Sequence, residues 1–283
     1  CVDSLWRGNS DTETILQAIV EWGIEETLKK ISGMFSISIW DKEKKVLTLA
    51  RDRFGEKPLY YGWLNGSFVF GSQLDSFKKF PFFKNKISLI ALAKYLQLNY
   101  VPTPLSIYKD IYKLEPGCFL ELSIEDLQKK HFDIKQYWSL QETINYSKER
   151  MINDEAVIKK NLISQLRNTI RDQMISDVPL GAFLSGGIDS SLVVAIMQEI
   201  SKEPIKTFTI GFDDKSYDES SHAKKVAKHL GTDHKELIVN SKDAQKVIKK
   251  IPFLYDEPFA DSSQIPTFLV SDLAKRDVTV VLS

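Results

Sequence analysis

The chain has 283 residues, a length that sets an expectation of about two domains. Hydrophobic residues make up 43% and charged residues 27%, which excludes a disordered, collagen-like or disulfide-scaffold chain. Lysine plus arginine equals aspartate plus glutamate at 38 each, so the net charge is zero and bulk attraction to nucleic acid is not expected. Cys1 and Cys118 form neither a disulfide framework nor a metal knuckle, and the pattern reads as reduced, intracellular and cytoplasmic. No uncharged apolar run approaches the roughly 18 residues of a membrane span. No basic segment followed by an apolar stretch opens the chain. Residue 1 is Cys, and Val278–Ser283 reads as a strand that stops at its edge. The sequence is therefore read as a piece truncated at both ends.

The first half reads as β-rich. A helix is expected over Thr12–Trp22, with Asp11 as its N-cap. Gly33–Asp41 alternates apolar and polar residues with the period of a half-buried strand, and Lys45–Arg51 and Ser67–Ser72 look similar. Asn65-Gly66 is a type I′ hairpin signal. Ser88–Leu98 reads as a helix, and Leu114–Leu122 as a turn feeding a strand that contains Cys118. From Lys135 to Asp154 the sequence turns polar and loses periodicity, which marks a linker over 140–153 between domains at 1–139 and 154–283.

The second half alternates helix and strand. An amphipathic helix over Asp154–Ser176 carries Val157, Leu162, Ile163, Leu166 and Ile170 at helical spacing. Strands follow at Pro179–Leu184, Ile205–Phe212, His234–Val239 and Val278–Leu282. Between them lie helices at Ser190–Ser201, Ser221–Leu230, Ser241–Ile251 and Gln264–Lys275. This order predicts an α/β doubly wound parallel sheet.

Ser185-Gly-Gly-Ile-Asp-Ser-Ser191 follows an apolar strand and opens a helix. Its glycines permit a tight turn, successive N–H groups form a nest, and the helix terminus adds partial positive charge. The set suits a phosphate or pyrophosphate. Asp189 would repel phosphate by itself, but fits as a holder of Mg²⁺ that bridges to phosphates. No Lys follows the glycines, so the pattern is neither Walker A nor G-x-G-x-x-G.

Ser185–Ser191 resembles the pyrophosphate loop of the N-type ATP pyrophosphatases. Ser176–Ser191, Phe208–Phe212 and Tyr255–Ser263 resemble glutamine-hydrolysing asparagine synthetases. Ser10–Glu13, Gly33–Phe35, Trp40-Asp41 and Arg51–Tyr61 are similar to the glutaminase domain of the same family. The blocks occur in the family's order and cover nearly the whole chain. The resemblance implies an α+β, N-terminal-nucleophile glutaminase sandwich, partial here, followed by a partial ATP-pyrophosphatase domain.

The implied chemistry is release of ammonia from glutamine. Aspartate and ATP then form β-aspartyl-AMP with Mg²⁺, and ammonia displaces AMP. By resemblance Leu184 and Ile210 hold the adenosine part of ATP, and Ser185, Gly186, Gly187, Asp189 and Ser190 hold its pyrophosphate. Ser283 matches the first residue of the next nucleotide loop. Asp11 matches the carboxylate that binds the glutamine amine, a role compatible with capping. Implied partners are glutamine, aspartate and ATP, with no nucleic acid or membrane, and a homodimer is compatible with the family. The acceptor stays open: related amidotransferases act on a sugar carboxylate or close a β-lactam ring, and a degraded or scaffolding copy is a third reading.

The family nucleophile is an N-terminal Cys whose amine serves as base. Cys1 is followed by Val2 and lies nine residues before Ser10, without the intervening glutamine-cradle motifs, so it is read as an accident of truncation. The nucleophile is expected upstream, and the chain as given is expected to be inactive. Cys118 is read as a small buried apolar residue. Arg51, Asp52 and Arg53 are expected to form ion pairs that hold the glutaminase sheet. His131, His222, His229 and His234 show no metal spacing, and His234 is placed beside the ATP site as a possible substrate contact. Asp256, Glu257 and Asp261 are open between loop capping and recognition of Mg²⁺ or aspartate.

Overall fold

The computed structural model describes residues 6–8, 10–81, 83–84, 86–213 and 220–283. They form two units, one comprising 1–151 and 256–259, the other 152–255 and 260–283.

The first unit runs α1 (Asp11–Trp22), α2 (Ile24–Lys30), β1 (Ser36–Asp41), β2 (Val46–Arg51), β3 (Tyr60–Leu64), β4 (Ser67–Gly71) and α3 (Leu74–Lys78). It continues through α4 (Leu89–Leu98), β5 (Ile111–Lys113), β6 (Cys118–Ser123), α5 (Ile124–Lys129), β7 (Asp133–Gln136) and α6 (Leu140–Lys148). Two antiparallel sheets result, in the orders β1-β2-β6-β7 and β4-β3-β5.

The two-residue period decides the layering. Leu47, Leu49, Cys118, Leu120 and Leu122 leave one face of the first sheet and meet Tyr61 and Phe68 of the second. Ala50 and Phe119 leave the other face and pack with Leu28 of α2. Tyr60 and Leu64 leave the far face of the second sheet toward Leu74, Phe77 and Ala91 of α3 and α4. The unit is thus a helix–sheet–sheet–helix sandwich. Each fully buried leucine contributes about 1.5–3 kcal/mol of burial free energy.

The Asn65-Gly66 turn forms as expected, with φ of +48° and +86°, and joins β3 to β4 with Leu64 opposite Ser67. Its partner strand β3 carries no sequence alternation, because four of its five residues are buried and the fifth is half-buried. The stretch read as a linker contains α6, capped by the Ser139 hydroxyl, which accepts from the Glu142 amide at 3.4 Å. Polar composition there reflects an exposed helix.

The second unit runs α7 (Glu155–Gln173), β8 (Leu180–Phe183), α8 (Ile188–Ile200), β9 (Lys206–Phe212), α9 (Ser220–Leu230) and β10 (Asp233–Val239). It ends with α10 (Ser241–Ile248), α11 (Ile251–Leu254), α12 (Gln264–Ala274) and β11 (Val280–Leu282). The sheet is parallel in the order β10-β9-β8-β11. Ile170, Val194, Met197, Ala223 and Ala227 of α7, α8 and α9 cover one face. Leu273 and Ala274 of α12 cover the other, against Phe208. The chain reverses direction across the sheet at β8, which is the topological switch point of a doubly wound fold.

The apolar stripe of α7 is buried only toward its C-terminus. Ile170 is buried and Leu166 packs beside it, whereas Val157, Leu162 and Ile163 are exposed. The helix has 19 residues against 13 in its neighbour α8, so roughly 9 Å of its length, at about 1.5 Å per residue, has no α8 to rest on.

Candidate functional site

The loop between β8 and α8 stands at that switch point. Leu184 continues β8, its amide donating to the Phe208 carbonyl at 3.0 Å, and its side chain is buried in the core. The Thr209 hydroxyl donates to the Leu184 carbonyl, which fixes the strand end from the neighbouring strand. Gly186 then turns at φ +82°. A Cβ there would lie 2.6 Å from the Ala223 nitrogen, so the start of α9 is pressed against the loop and only glycine fits.

Two serines close the loop on itself. The Ser185 hydroxyl accepts from the Gly187 amide at 3.2 Å and lies 2.9 Å from the Ser190 hydroxyl. The Ser190 hydroxyl accepts from the Ser185 amide at 3.3 Å. Gly187 caps α8 without a side chain, leaving the mouth of the loop open. The first amides of a helix have no intrahelical acceptor and face whatever lies beyond the terminus. Asp189 is exposed in the first turn of α8. The buried Ser191 hydroxyl has no hydrogen-bond partner among the described residues.

Beside the loop is a cleft of about 350 Å³ lined by Leu184, Ser185, Thr209, Ile210 and Phe212, and by Pro266, Thr267 and Val270 of α12. The structure thus brings Leu184, Ser185 and Ile210 to one wall and sets Gly186, Gly187, Asp189 and Ser190 at its edge. Leu282 pairs with Ala182, which places the exposed Ser283 at the same carboxyl edge of the sheet. A second cleft of about 730 Å³ shares Phe212 and Pro266 with the first and reaches Asn240 and Ser241 beyond β10. Open α/β sheets bind ligands at this edge. Sequence reading missed Thr209, Pro266, Thr267 and Val270. The run Phe208–Phe212 carried the signal for Thr209, whose hydroxyl sits on the face opposite Phe208.

Among the described residues no group of three metal-binding side chains occurs. Asp189, a single exposed carboxylate beside a nest of amides and hydroxyls, fits a divalent cation carried in by phosphates, since Mg²⁺ commonly takes one or two carboxylates plus phosphate oxygens.

The remaining candidates fall elsewhere. Cys1 lies outside the described residues. Asp11 is the first residue of α1 rather than its cap; the Ser10 hydroxyl accepts from the Thr12 amide at 3.2 Å and takes that role. Cys118 is buried between the sheets, and burial pushes its thiol up to about 11. Ion pairs are not what Arg51, Asp52 and Arg53 make among the described residues. Arg51 donates to the carbonyls of Lys57, Leu114 and Gly55 at 2.8, 2.7 and 2.6 Å. Asp52 accepts from the amides of Phe35, Phe54, Glu56 and Lys57 at 3.3, 3.2, 2.9 and 3.0 Å. Arg53 donates to the Lys29 carbonyl at 2.7 Å. These side chains brace a turn, because backbone groups rather than charges surround them.

His234 does not reach the cleft. It is the second residue of β10, opposite Thr207 at the amino end of β9, whereas the cleft lies at the carboxyl end. Its Nδ1 lies 3.0 Å from the Thr207 hydroxyl, and burial lowers its pKa. The acidic set also separates. Asp256 and Glu257 belong to the first unit, and Asp261 to the second. Asp261 accepts from the Ser263 amide at 2.8 Å, a turn contact that lowers its pKa.

Two family profiles divide the chain. Residues 2–138 match the glutamine amidotransferase domain, and residues 161–283 match asparagine synthase. A putative glutamine-hydrolysing asparagine synthetase 2 from Methanocaldococcus jannaschii is 38% identical over 97% of this chain and 52% of its own length. A glutamine-hydrolysing asparagine synthetase 1 from Bacillus subtilis is 33% identical over 97% of this chain and 42% of its own. An amidase, chry2, from Gibberella zeae is 27% identical over 80% of this chain and 34% of its own. The chain spans about half the length of the curated relatives it matches, or less. An antiparallel sandwich and, after it in the chain, a parallel sheet with a glycine-serine loop at its switch point are thus similar, in that order, to a glutamine amidotransferase domain and to asparagine synthase.

Proposed function

We propose that the whole protein makes asparagine from aspartate, ATP and glutamine-derived ammonia, and that the cleft beside Ser185–Ser191 is its nucleotide site. The observation that carries this reading is the open, glycine-turned loop at the carboxyl end of β8, next to a cleft whose apolar lining includes Ile210, Phe212, Pro266 and Val270. An adenine fits between apolar side chains. The triphosphate then meets the Gly186–Ser190 backbone, the two serine hydroxyls and the α8 terminus. Ser283 approaches from β11.

In this reading the aspartate side-chain carboxylate attacks the α-phosphorus of ATP and pyrophosphate leaves. Ammonia then attacks the acyl carbon and AMP leaves. Asp189 would hold the Mg²⁺, which offsets the charge of the departing pyrophosphate. The first unit supplies ammonia, with Asp11 binding the glutamine amine. The members are small molecules throughout, and the place of action is the cytoplasm.

The test is ATP–pyrophosphate exchange driven by aspartate in the full-length protein. Asp189→Ala should abolish exchange and leave the fold intact, because the side chain is exposed and packs in no core. Retained exchange in the folded variant removes Asp189 from the site. Exchange driven by another carboxylate in place of aspartate moves the reading to a different acceptor.

A further inference from the structure

Strand β9 carries Phe208, Ile210 and Phe212 at the two-residue spacing that puts them on one face. Phe208 is buried against Leu273 and Ala274 of α12. Ile210 and Phe212 are half-buried, and among the described residues they belong to neither buried cluster of the second unit. The apolar row thus runs out of the core at the carboxyl end of the strand. There the start of α12 brings Pro266 and Val270 to the same cleft. Phe212 is the last residue of β9, and its side chain lines that cleft instead of filling the core.

The strand order places Phe212 relative to the glycine-serine loop. It is β10-β9-β8-β11, and the loop follows β8. The cleft of about 350 Å³ therefore runs sideways from Ser185 of the loop over the end of β9. The cleft of about 730 Å³ lies one strand further, where Val239 and Asn240 line it at the end of β10. Phe212 and Pro266 line both clefts. They stand where the two meet, at the end of the first cleft that is remote from the loop. A nucleotide with its phosphates in the loop brings its base to that end. Every residue in this relationship belongs to the second unit.

We infer that Phe212 is the residue against which the nucleotide base packs, ring to ring, and that it closes the base end of the cleft. The inference rests on the reading of that cleft as the nucleotide site. A nucleobase offers an apolar π-face, so such a contact supplies affinity while the phosphates stay with the loop. Its consequence is a split between two ligands. Loss of the ring weakens ATP, which has a base, and spares pyrophosphate, which meets only the loop.

The experiment uses the full-length protein as wild type, Phe212→Tyr, Phe212→Leu and Phe212→Ala. ATP affinity is measured by calorimetry with Mg²⁺ present. KM for ATP and kcat are measured in ammonia-dependent synthesis, and KM for pyrophosphate in aspartate-dependent ATP–pyrophosphate exchange. The expected result is a rise in Kd and KM for ATP of about tenfold in Phe212→Ala and about threefold in Phe212→Leu, with Phe212→Tyr within about twofold of wild type. KM for pyrophosphate and kcat should stay within about twofold in all three. Phe212→Leu keeps apolar bulk without a ring, and also serves if the alanine variant fails to fold. Unchanged ATP affinity in a folded leucine variant overturns the inference, because the ring would then be dispensable. Equal losses for ATP and pyrophosphate overturn it too, since Phe212 would then shape the loop and not meet the base. A wild type that binds ATP but shows no exchange with aspartate overturns the proposed function, while the calorimetric shift still decides the role of Phe212. A wild type that binds no ATP overturns both.

Discussion

A Cβ on Gly186 would sit 2.6 Å from the backbone nitrogen of Ala223, closer than real side chains approach a peptide. The loop and the first turn of α9 therefore fit together through a missing side chain. Gly186→Ala combines this clash with a left-handed backbone at φ +82°. Nucleotide affinity should fall at least about tenfold, because the amides of the nest are displaced. Gly231→Ala is the control: its φ is +72°, but nothing lies within 4 Å of the added carbon. That variant should lose stability through backbone strain and keep its nucleotide affinity. Equal loss of affinity in both would place the effect in strain alone.

Asp52 should be the most costly single carboxylate to remove from the first unit. It is buried and accepts from four backbone amides, so deletion leaves several donors without partners. Asp52→Ala is expected to destabilise by about 3 kcal/mol or more, read by urea denaturation. Asp52→Asn keeps one acceptor oxygen and should lie between. A change under about 0.5 kcal/mol in the alanine variant would show that water replaces the carboxylate.

The start of α1 separates two roles. Ser10→Ala removes the cap and should cost about 1 kcal/mol of local helix stability. Asp11→Asn leaves that cap in place and should shift stability by no more than about 0.5 kcal/mol. In the full-length protein Asp11→Asn should lower glutamine-dependent turnover and spare ammonia-dependent turnover. Parallel loss of both activities would remove Asp11 from glutamine binding.

His234 makes the second unit sensitive to acid. Burial lowers its pKa below the usual 6.5, Glu236 offsets part of this and Lys224 adds to the lowering, and its Nε2 is buried without a partner among the described residues. The folded state therefore holds the neutral ring, while the unfolded chain takes up a proton as pH falls below 6.5. The contribution of His234 is complete above that pH and is lost as pH falls toward the folded value. The slope for one proton cannot exceed about 1.4 kcal/mol per pH unit. Denaturation midpoints between pH 7 and pH 5 should fall less in His234→Gln than in wild type. An identical pH slope would assign the loss to other groups.

What was legible in the sequence follows from the range of the interactions involved. The β8–loop–α8 unit is local: an apolar strand, two glycines and a helix start within a dozen residues, and each declares itself by period or by conformational demand. A strand with a partly wet face alternated visibly, as β1 shows. Strand β3 did not, because both of its faces are buried, and β5 is too short for any period to register. Asp256 and Glu257 were left open for a different reason. Their partners lie 182 and 150 positions away, and a pattern of neighbouring residues carries no trace of such distances. Arg51 was read as half of an ion pair because charge suggests charge. Its partners are carbonyls, which every residue possesses and no sequence motif marks.

The placement of Asp256–Phe259 in the first unit bears on how this protein can be taken apart and recombined. A single cut after Met151 would separate two stretches of sequence but not two units, since the first would lose the carboxylates that cap α3 and pair with Lys113. Chimeras between relatives face the same restriction. A first unit taken from one relative and joined to the second unit of another must be matched to four residues encoded more than a hundred positions downstream. The unit of exchange is therefore a discontinuous one, and substitutions at Lys113 and Glu257 are expected to change together when such proteins diverge or are shuffled.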